Sequence, residues 1–257
     1  MFKYFFLIGV TCITFMVLVC CRSIVPESFS SEKRIGNSTV RQYVSLSLDP
    51  TITKVQQNIH TERLIRWLYH SEFSEVVDET EFTLNALGEA LQNLYLYRYA
   101  DNEHEFTYYN EYRIKPSFVN KKLSIYEVVR DSNHEYHSVN KMIKYYFIEK
   151  HSNTPLYLVD LLNSTYKDFC GLSELLKKYL LLNEKSASVI EDIMEKDEND
   201  YIPKYLYVLS DFSFDEDSMI CLFNDKVLDS SLGTITLRIP IEEAKPFLSD
   251  TLKELLF

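Results

Sequence analysis

Three stretches between Phe106 and Ile148 set the architecture. Phe106–Ile114, Leu123–Val129 and Tyr136–Ile148 are each rich in aromatic and β-branched residues, with short polar segments between them. Such side chains fill a pleated, half-buried surface, and short connections pair consecutive strands with their neighbours. A strand meander is predicted. Its apolar face needs a cover, and the chain supplies one upstream. Val55, Ile59, Leu64, Ile65 and Leu68 recur at helical spacing after Pro50, which is expected to open the helix. Trp67 sits beside that face as a core residue. A second helix is expected from Asp78, with Glu81 as its capping-box-like partner, continuing through Phe82, Leu87, Leu91, Leu94 and Tyr95. Before both, Val40–Leu48 alternates, with Gln42, Val44, Leu46 and Leu48 on one side, as a half-buried strand does.

Beyond a turn at Ser152–Pro155 come helices over Leu172–Leu182 and Ser186–Met194. Strands follow at Met219–Phe223 and Thr234–Ile239, then a helical end over Ile241–Leu256 with a break at Pro246. The fold class is α+β, an antiparallel sheet with helices packed on one side. The late strands are expected to join the earlier ones in one sheet.

The first 21 residues, MFKYFFLIGVTCITFMVLVCC, place one Lys ahead of a long uncharged apolar run. That is the layout of a signal peptide, and the run is also long enough to span a bilayer if it stays uncleaved. The end of the run, Leu18-Val19-Cys20-Cys21, resembles a bacterial lipobox. Cys21 suits the lipidated position better than Cys20, because Cys20 then supplies the small residue before the cut. Either reading puts the chain after Arg22 at the cell envelope, facing the periplasm or the exterior, with a membrane anchor; acyl-chain number decides how firmly it holds. Residues 22–38 are polar, contain Ser, Gly and Pro, and read as a tether. The rest is long enough for a sizeable core.

Charge narrows the partners. The chain carries 27 bases and 38 acids, a net −11. Cleavage before Cys21 removes one base, Lys3, leaving 26 against 38, a net −12. Nucleic acid is thereby disfavoured, since there is no basic face to neutralise phosphates, and a cationic partner is favoured. Cys170 and Cys221 lie in apolar contexts, where a free Cys packs as a small hydrophobe, although an oxidising compartment would permit a bridge.

No motif points firmly to catalysis or to a cofactor. His134-Glu135-Tyr136-His137 suggests a zinc protease, but that chemistry needs two His one helical turn apart with Glu directly after the first. Here the spacing is i and i+3, beside the turn formers Ser132 and Asn133, so a hairpin turn with a structural His137 is the better reading. Asp215-Glu216-Asp217 lacks the ligand pattern of a calcium loop and reads as a solvated turn, as does Glu195–Asp200. Gly-x-Ser-x-Gly, P-loop and dinucleotide motifs are missing, and five glycines leave little material for phosphate cradles. Nineteen tyrosines could suggest sugar binding, but many sit in strand runs, where cross-strand packing explains them.

Phe212–Leu248 resembles the C-terminal signature of the RsiV-like family of extracytoplasmic bacterial domains, through Phe212, Phe214, Phe223, Gly233, Ile239, Pro240 and Phe247. Tyr136–Leu162 resembles that family's long hairpin and its Leu-x-Leu-x-Asp-Leu lead into a helix, through Leu156, Leu158, Asp160 and Leu161. Val40–Tyr69 is similar to the PdaC-like region that usually precedes it. The division implied is 39–135 PdaC-like and 136–257 RsiV-like, in one continuous body. The resemblance implies an extracytoplasmic α+β domain without a known catalytic centre. The family occurs in an anti-sigma factor that senses lysozyme, in front of peptidoglycan deacetylase domains, and in many lipoproteins. Two loops depart from its pattern. Where the family often has a Gly-Ala-His-Gly-like turn, this chain has Glu135-Tyr136-His137-Ser138; where a Tyr often follows the Phe matched by Phe223, it has Asn224-Asp225-Lys226-Val227.

Loops carry recognition on a rigid scaffold, so Glu135, Tyr136, His137, Asn224, Asp225 and Lys226 are the partner-binding candidates. The expected function is non-catalytic binding of an envelope component or a cationic protein such as lysozyme. The alternatives are a hydrolase acting on peptidoglycan, for which no site is evident, or an accessory carbohydrate-binding domain. Direct signalling is disfavoured, since only Met1–Tyr4 could lie inside the cell.

Overall fold

The computed structural model describes residues 27–73, 82–99, 106–134, 137–163, 165–187, 211–224, 227–228 and 232–257. Its frame is a six-stranded sheet in the order β1 (Glu27–Ile35), β2 (Ser38–Leu46), β3 (Phe106–Val119), β4 (Leu123–His134), β5 (His137–Glu149) and β6 (Thr154–Leu156). Every neighbour pair is antiparallel except β2 and β3. That parallel pair needs a crossover, and the described part of it is two helices, α1 (Lys54–Glu72) and α2 (Leu84–Tyr99). The predicted meander is thus present as β3–β4–β5, with β3 and β4 running on past their apolar runs and β5 displaced from its own by one residue.

Helix α1 starts later than Pro50 suggests. Thr53 is its N-cap, with its side chain accepting from the Gln56 backbone N–H while Gln56 Oε1 accepts from Thr53 N at 3.0 Å. Pro50 lies instead in a turn closed by Thr51 N donating to Asp49 Oδ1 at 2.8 Å, which delays the helix by one turn. Asp78–Glu81 lies outside the described residues, as does most of Ser186–Met194.

Alternation assigns the faces. Val44 and Leu46 of β2, Tyr112 and Ile114 of β3, Tyr126 and Val128 of β4, and Tyr146 and Ile148 of β5 bury against Leu64, Ile65, Leu68, Leu87 and Leu91 of the two helices. Each large apolar side chain fully buried this way stabilises by roughly 1.5–3 kcal/mol relative to exposure. Trp67 packs at the margin of this cluster, its ring 5.1 Å from Tyr146, as expected of a core residue.

The opposite face, on its β3–β5 side, meets a second sheet of β7 (Asp211–Phe214), β8 (Ser218–Phe223) and β9 (Ile235–Pro240), all antiparallel. The late strands therefore form a sheet of their own and do not extend the first, contrary to expectation. The reason is their pattern. Phe212, Phe214, Met219, Cys221 and Phe223 bury against Leu123, Ile125 and Phe147 face to face, so their apolar groups fill an inter-sheet layer. Helices α3 (Leu158–Leu161), α4 (Tyr166–Leu182), α5 (Ile241–Ala244) and α6 (Asp250–Leu256) close this core, with a 3₁₀ turn at Lys245–Phe247 where Pro246 was expected to break the run. Cys170 and Cys221 are free thiols, and burial pushes that of Cys221 well up.

Residues 27–35, read from sequence as part of a tether, form β1. Their only large apolar anchor on the helix side is Phe29, which packs on α2 where Gly88 leaves room. A Cβ on Gly88 would run into the Phe29 ring. Polar side chains fill most of β1, so its sequence carries no alternation signal. Gly36, at φ 55°, turns the chain back into β2. The strands on either side of the sequence boundary at 135/136, β4 and β5, are paired neighbours in one sheet.

Candidate functional site

Where β2, β4 and β5 end on the helix side, the interior is polar. Asp49 follows β2, Ser124 and Tyr126 lie on β4, and Lys150 follows β5. Asp49 and Lys150 form an ion pair at 2.6 Å with side chains 0% and 8% exposed. The carboxylate is saturated. Oδ2 accepts from Lys150 and from Ser124 Oγ at 2.7 Å, and Oδ1 from Thr51 N at 2.8 Å and Thr51 Oγ1 at 2.7 Å. Lys150 also donates to Thr51 Oγ1 at 2.8 Å, while Gln56 Nε2 on α1 donates to Lys150 O at 2.9 Å. Burial pushes the Asp49 carboxyl up, but the bonds from Lys150, Thr51 and Ser124 outweigh it and hold the group below its ordinary value.

The network extends through Tyr126, whose hydroxyl accepts from Asp49 N at 3.4 Å and lies 2.8 Å from His60 Nδ1 on α1. Because Tyr126 already accepts there, its proton is assigned to Nδ1, and His60 carries its own proton on Nε2. Burial pushes His60 down to about 4, against the pull of the Asp49 carboxylate, so the imidazole is neutral at physiological pH. Buried Nε2 and Asn153 Oδ1 each lack a well-aligned partner, yet stand close enough for the Asn153 side chain to bias the ring. Asn153 holds φ at 53°, in the left-handed region that Asn tolerates better than most residues.

Above this network lies a cleft of about 470 Å³ lined by Thr51, Gln56, Asn120, Lys121, Lys150 and His151, among others. Its polar ends are largely spent inward. Asn120 Oδ1 accepts from Lys122 N and Leu123 N, both at 2.7 Å, and its amide donates to Leu255 O at 2.8 Å. What remains for a ligand is the exposed rim, Lys121 and His151. Chemically the network is a lock that holds three strands and α1 together.

A second polar cluster sits toward the other end of the same face. Arg130 on β4 donates to Asn110 Oδ1 at 3.3 Å and to the hydroxyls of Tyr95 and Tyr108, and pairs with Glu72 Oε2 at 3.3 Å. Asn110 Nδ2 donates to Gln42 Oε1 at 2.7 Å. Burial raises Tyr95 and Tyr112, so both phenols stay neutral beside the guanidinium.

The residues singled out from sequence divide. Cys21, Glu135, Tyr136, Asp225 and Lys226 lie outside the described residues. His134 and His137 are Cα partners across the β4–β5 pair, the strand hairpin that the turn reading anticipates. Asn224 directly follows β8, and its side chain clips the second sheet to the first. Ile143 N donates to its Oδ1 at 2.7 Å, and its Nδ2 donates to Ile143 O at 2.9 Å. Asp211 does the same job one step along, accepting from Tyr145 N at 2.6 Å and from Phe212 N at 2.8 Å. Burial pushes the Asp211 carboxyl up to about 7, against those two bonds. Asn224 thus has a structural task that its place in a loop did not reveal. Sequence reasoning missed Asp49, Lys150, His60, Asp211 and Arg130. The one local signal was a charged residue beside a buried strand end, as in Leu48-Asp49-Pro50 and Ile148-Glu149-Lys150.

A mixed α+β domain with a helix-covered six-stranded sheet and a three-stranded sheet behind it is the class defined so far. Known structures share it. A DUF3298 family protein from Pseudomonas aeruginosa PAO1 superposes with a TM-score of 0.56 at 14% identity, covering 88% of this chain and 95% of that one. A member of the same family from Bacteroides fragilis NCTC 9343 gives 0.58 at 13% identity, with the same 88% and 95% coverage. These likenesses show the fold. No family model matches the sequence. No curated protein matches it either.

Proposed function

We propose that the protein is a non-catalytic binding domain, anchored at the cell envelope through lipid on Cys21. Its partner is an envelope component or a cationic protein, with lysozyme the leading specific candidate. The observation that supports this best is the commitment of the buried ionisable groups to one another. Asp49 accepts from Lys150, Thr51 and Ser124, Arg130 is spent on Glu72 and tyrosines, and His60 is neutral under Tyr126. Groups so saturated rigidify a scaffold and leave recognition to its surface. The net charge of −11 favours a cationic partner, and the resemblance of the hairpin and the Phe212–Leu248 stretch to the RsiV-like family favours lysozyme among such partners. The loops at Glu135–Ser138 and Asn224–Ser231 are the contact candidates.

The test is calorimetry of the full chain in detergent with lysozyme at low and physiological salt. Binding that weakens as salt screens the charges is expected. No binding at either salt removes lysozyme as the partner. Turnover of peptidoglycan, abolished by a single carboxylate substitution, would make the protein an enzyme.

A further inference from the structure

The second sheet covers only part of the first. It reaches Val129 of β4 and Ile143 of β5, which pack on Leu222. Over β1, β2 and β3 the same face carries exposed side chains, among them Ser30, Glu32, Arg41 and Tyr109, with Tyr43 and Glu111 half-buried between them. Strand register orders them into rows. Glu32, Arg41 and Tyr109 stand side by side, and Ser30, Tyr43 and Glu111 form the next row. A groove of about 410 Å³ runs among Ser30, Glu32, Arg41, Tyr43 and Tyr109. Tyr109 is 39% exposed, and its hydroxyl donates to Glu111 Oε2 at 3.0 Å, two residues along its own strand. That bond lays the phenol along β3 toward Glu111, with over a third of the residue open to solvent.

The chemistry of this groove selects among ligands. β2 and β3 have partners on both sides, and the outer edge of β1 points sideways in the plane of the sheet, so a peptide lying on this face finds no backbone groups to pair with. Its charges are paired: Arg41 with Glu32 at 2.7 Å, Arg113 with Glu111 and Asp131, Lys115 with Glu127 at 2.9 Å. A locally neutral surface gives a strongly charged ligand little advantage. Its apolar area is two phenol rings with ions between them, too broken for a lipid or an apolar protein face. What fits is a neutral ring bearing C–H bonds on its face and hydroxyls around its rim. The C–H hydrogens meet the negative face of a phenol, and neighbouring hydroxyls bridge a guanidinium and a carboxylate, one accepting and one donating.

We infer that the open face of β1–β3 is a binding site for a neutral glycan chain, with Tyr109 and Tyr43 as stacking platforms and Arg41 and Glu32 as hydroxyl partners. This rests on the reading of the protein as a binding domain and names the chemistry of one envelope component it would take.

The experiment titrates the full chain in detergent with the hexamer of N-acetylglucosamine and, separately, the hexamer of glucose. Calorimetry gives the affinity and thermal melting reports the fold. At least one hexamer binds, with a dissociation constant on the order of 0.1–1 mM. Tyr109→Ala weakens it at least about tenfold, Arg41→Ala weakens it measurably, and Tyr109→Phe, which keeps the ring, stays within about twofold of wild type. Because Arg41 is well exposed, its variant tests the site even if Tyr109→Ala melts early. The inference is overturned if neither hexamer binds the folded wild type, or if Tyr109→Ala and Arg41→Ala both bind as wild type does. Lysozyme binding without hexamer binding removes the glycan site and leaves the proposed binding function standing. Hexamer cleavage with binding lost in Tyr109→Ala keeps the site and removes the non-catalytic reading.

Discussion

Replacing Lys150 by Met asks the buried lock to stand without its cation. The side chain keeps its length and loses its charge, so packing changes little while the Asp49 carboxylate keeps only the donors on Thr51 and Ser124. Removing one partner of a buried ion pair costs roughly 3–5 kcal/mol, because the other charge stays behind in a dry place. Against a total stability of about 5–15 kcal/mol for a domain, that is a large fraction. The sign of its pH dependence also follows. In the wild type Asp49 lies below its ordinary value, so its contribution is present above the unfolded carboxyl range and lost as pH falls through the folded value. Without Lys150, burial is opposed only by Thr51 and Ser124 and the folded value rises, so the variant forgoes the stability that the wild type gains as pH climbs. The difference between variant and wild type should therefore be larger at pH 8 than at pH 4. Urea denaturation followed by circular dichroism at the two pH values measures it, with the slope unchanged. Adding Asp49→Asn to the variant should recover at least about 1 kcal/mol by removing the stranded charge. A loss under about 1 kcal/mol at both pH values, with no recovery in the double variant, would refute a dry, mutually dependent pair.

Gly88→Ala should cost about 1–3 kcal/mol by driving into the Phe29 ring, and hydrogen exchange should show β1 amides exposed before those of β4. Asp211, raised to about 7, contributes stability that is present below the unfolded carboxyl range and lost as pH rises through 7. Between pH 5 and 8 the wild type should accordingly lose on the order of 1–3 kcal/mol relative to Asp211→Asn, a figure reduced for the partial exposure of the group, and melting curves of the pair would read it. His60 works in the other direction: held at about 4, it adds stability above the unfolded value near 6.5 that fades as pH falls through 4, and His60→Phe should flatten that acid limb of the melting profile. Mass spectrometry of the mature N-terminus should find a diacylated or triacylated Cys21; an intact Met1 or an unlipidated cut would end the anchor reading.

The meander was legible because β-branched and aromatic residues recur over runs long enough to fix both strand type and neighbours, as Leu123–Val129 does. The helices were legible from Leu64, Ile65 and Leu68 and from Leu87 and Leu91, whose spacing a strand cannot use. What stayed hidden depended on distant partners. β1 carries one anchoring ring, Phe29, and that ring matters only because Gly88 makes space for it on another element. The second sheet looked like more of the first because a strand sequence encodes its faces but not its edge partners. Neither Asp49 nor Lys150 stood out, since each is matched by the other from far along the chain; Thr51, which Lys150 also reaches, is 99 residues from it. Asn224 looked like a recognition residue because loops hold most of them. Its carboxamide is a match for one peptide unit, and nothing in the sequence near Asn224 says that Ile143 lacks a partner.

The clips made by Asn224 and Asp211 carry a cost in time. They occupy backbone groups of β5 that a neighbouring strand would otherwise take, yet they arrive 81 and 66 residues after the positions they cover. During synthesis, or in a chain cut short before Asp211, β5 presents unpaired N–H and C=O groups beside the apolar faces of Ile143, Tyr145 and Phe147. A strand from another molecule can use that opening, so intermolecular association competes with completion of the fold until the segment from Asp211 onward has docked. Truncations that end before residue 211 should then be sticky out of proportion to the stability they lose, and sedimentation of such chains beside the full-length protein would show it.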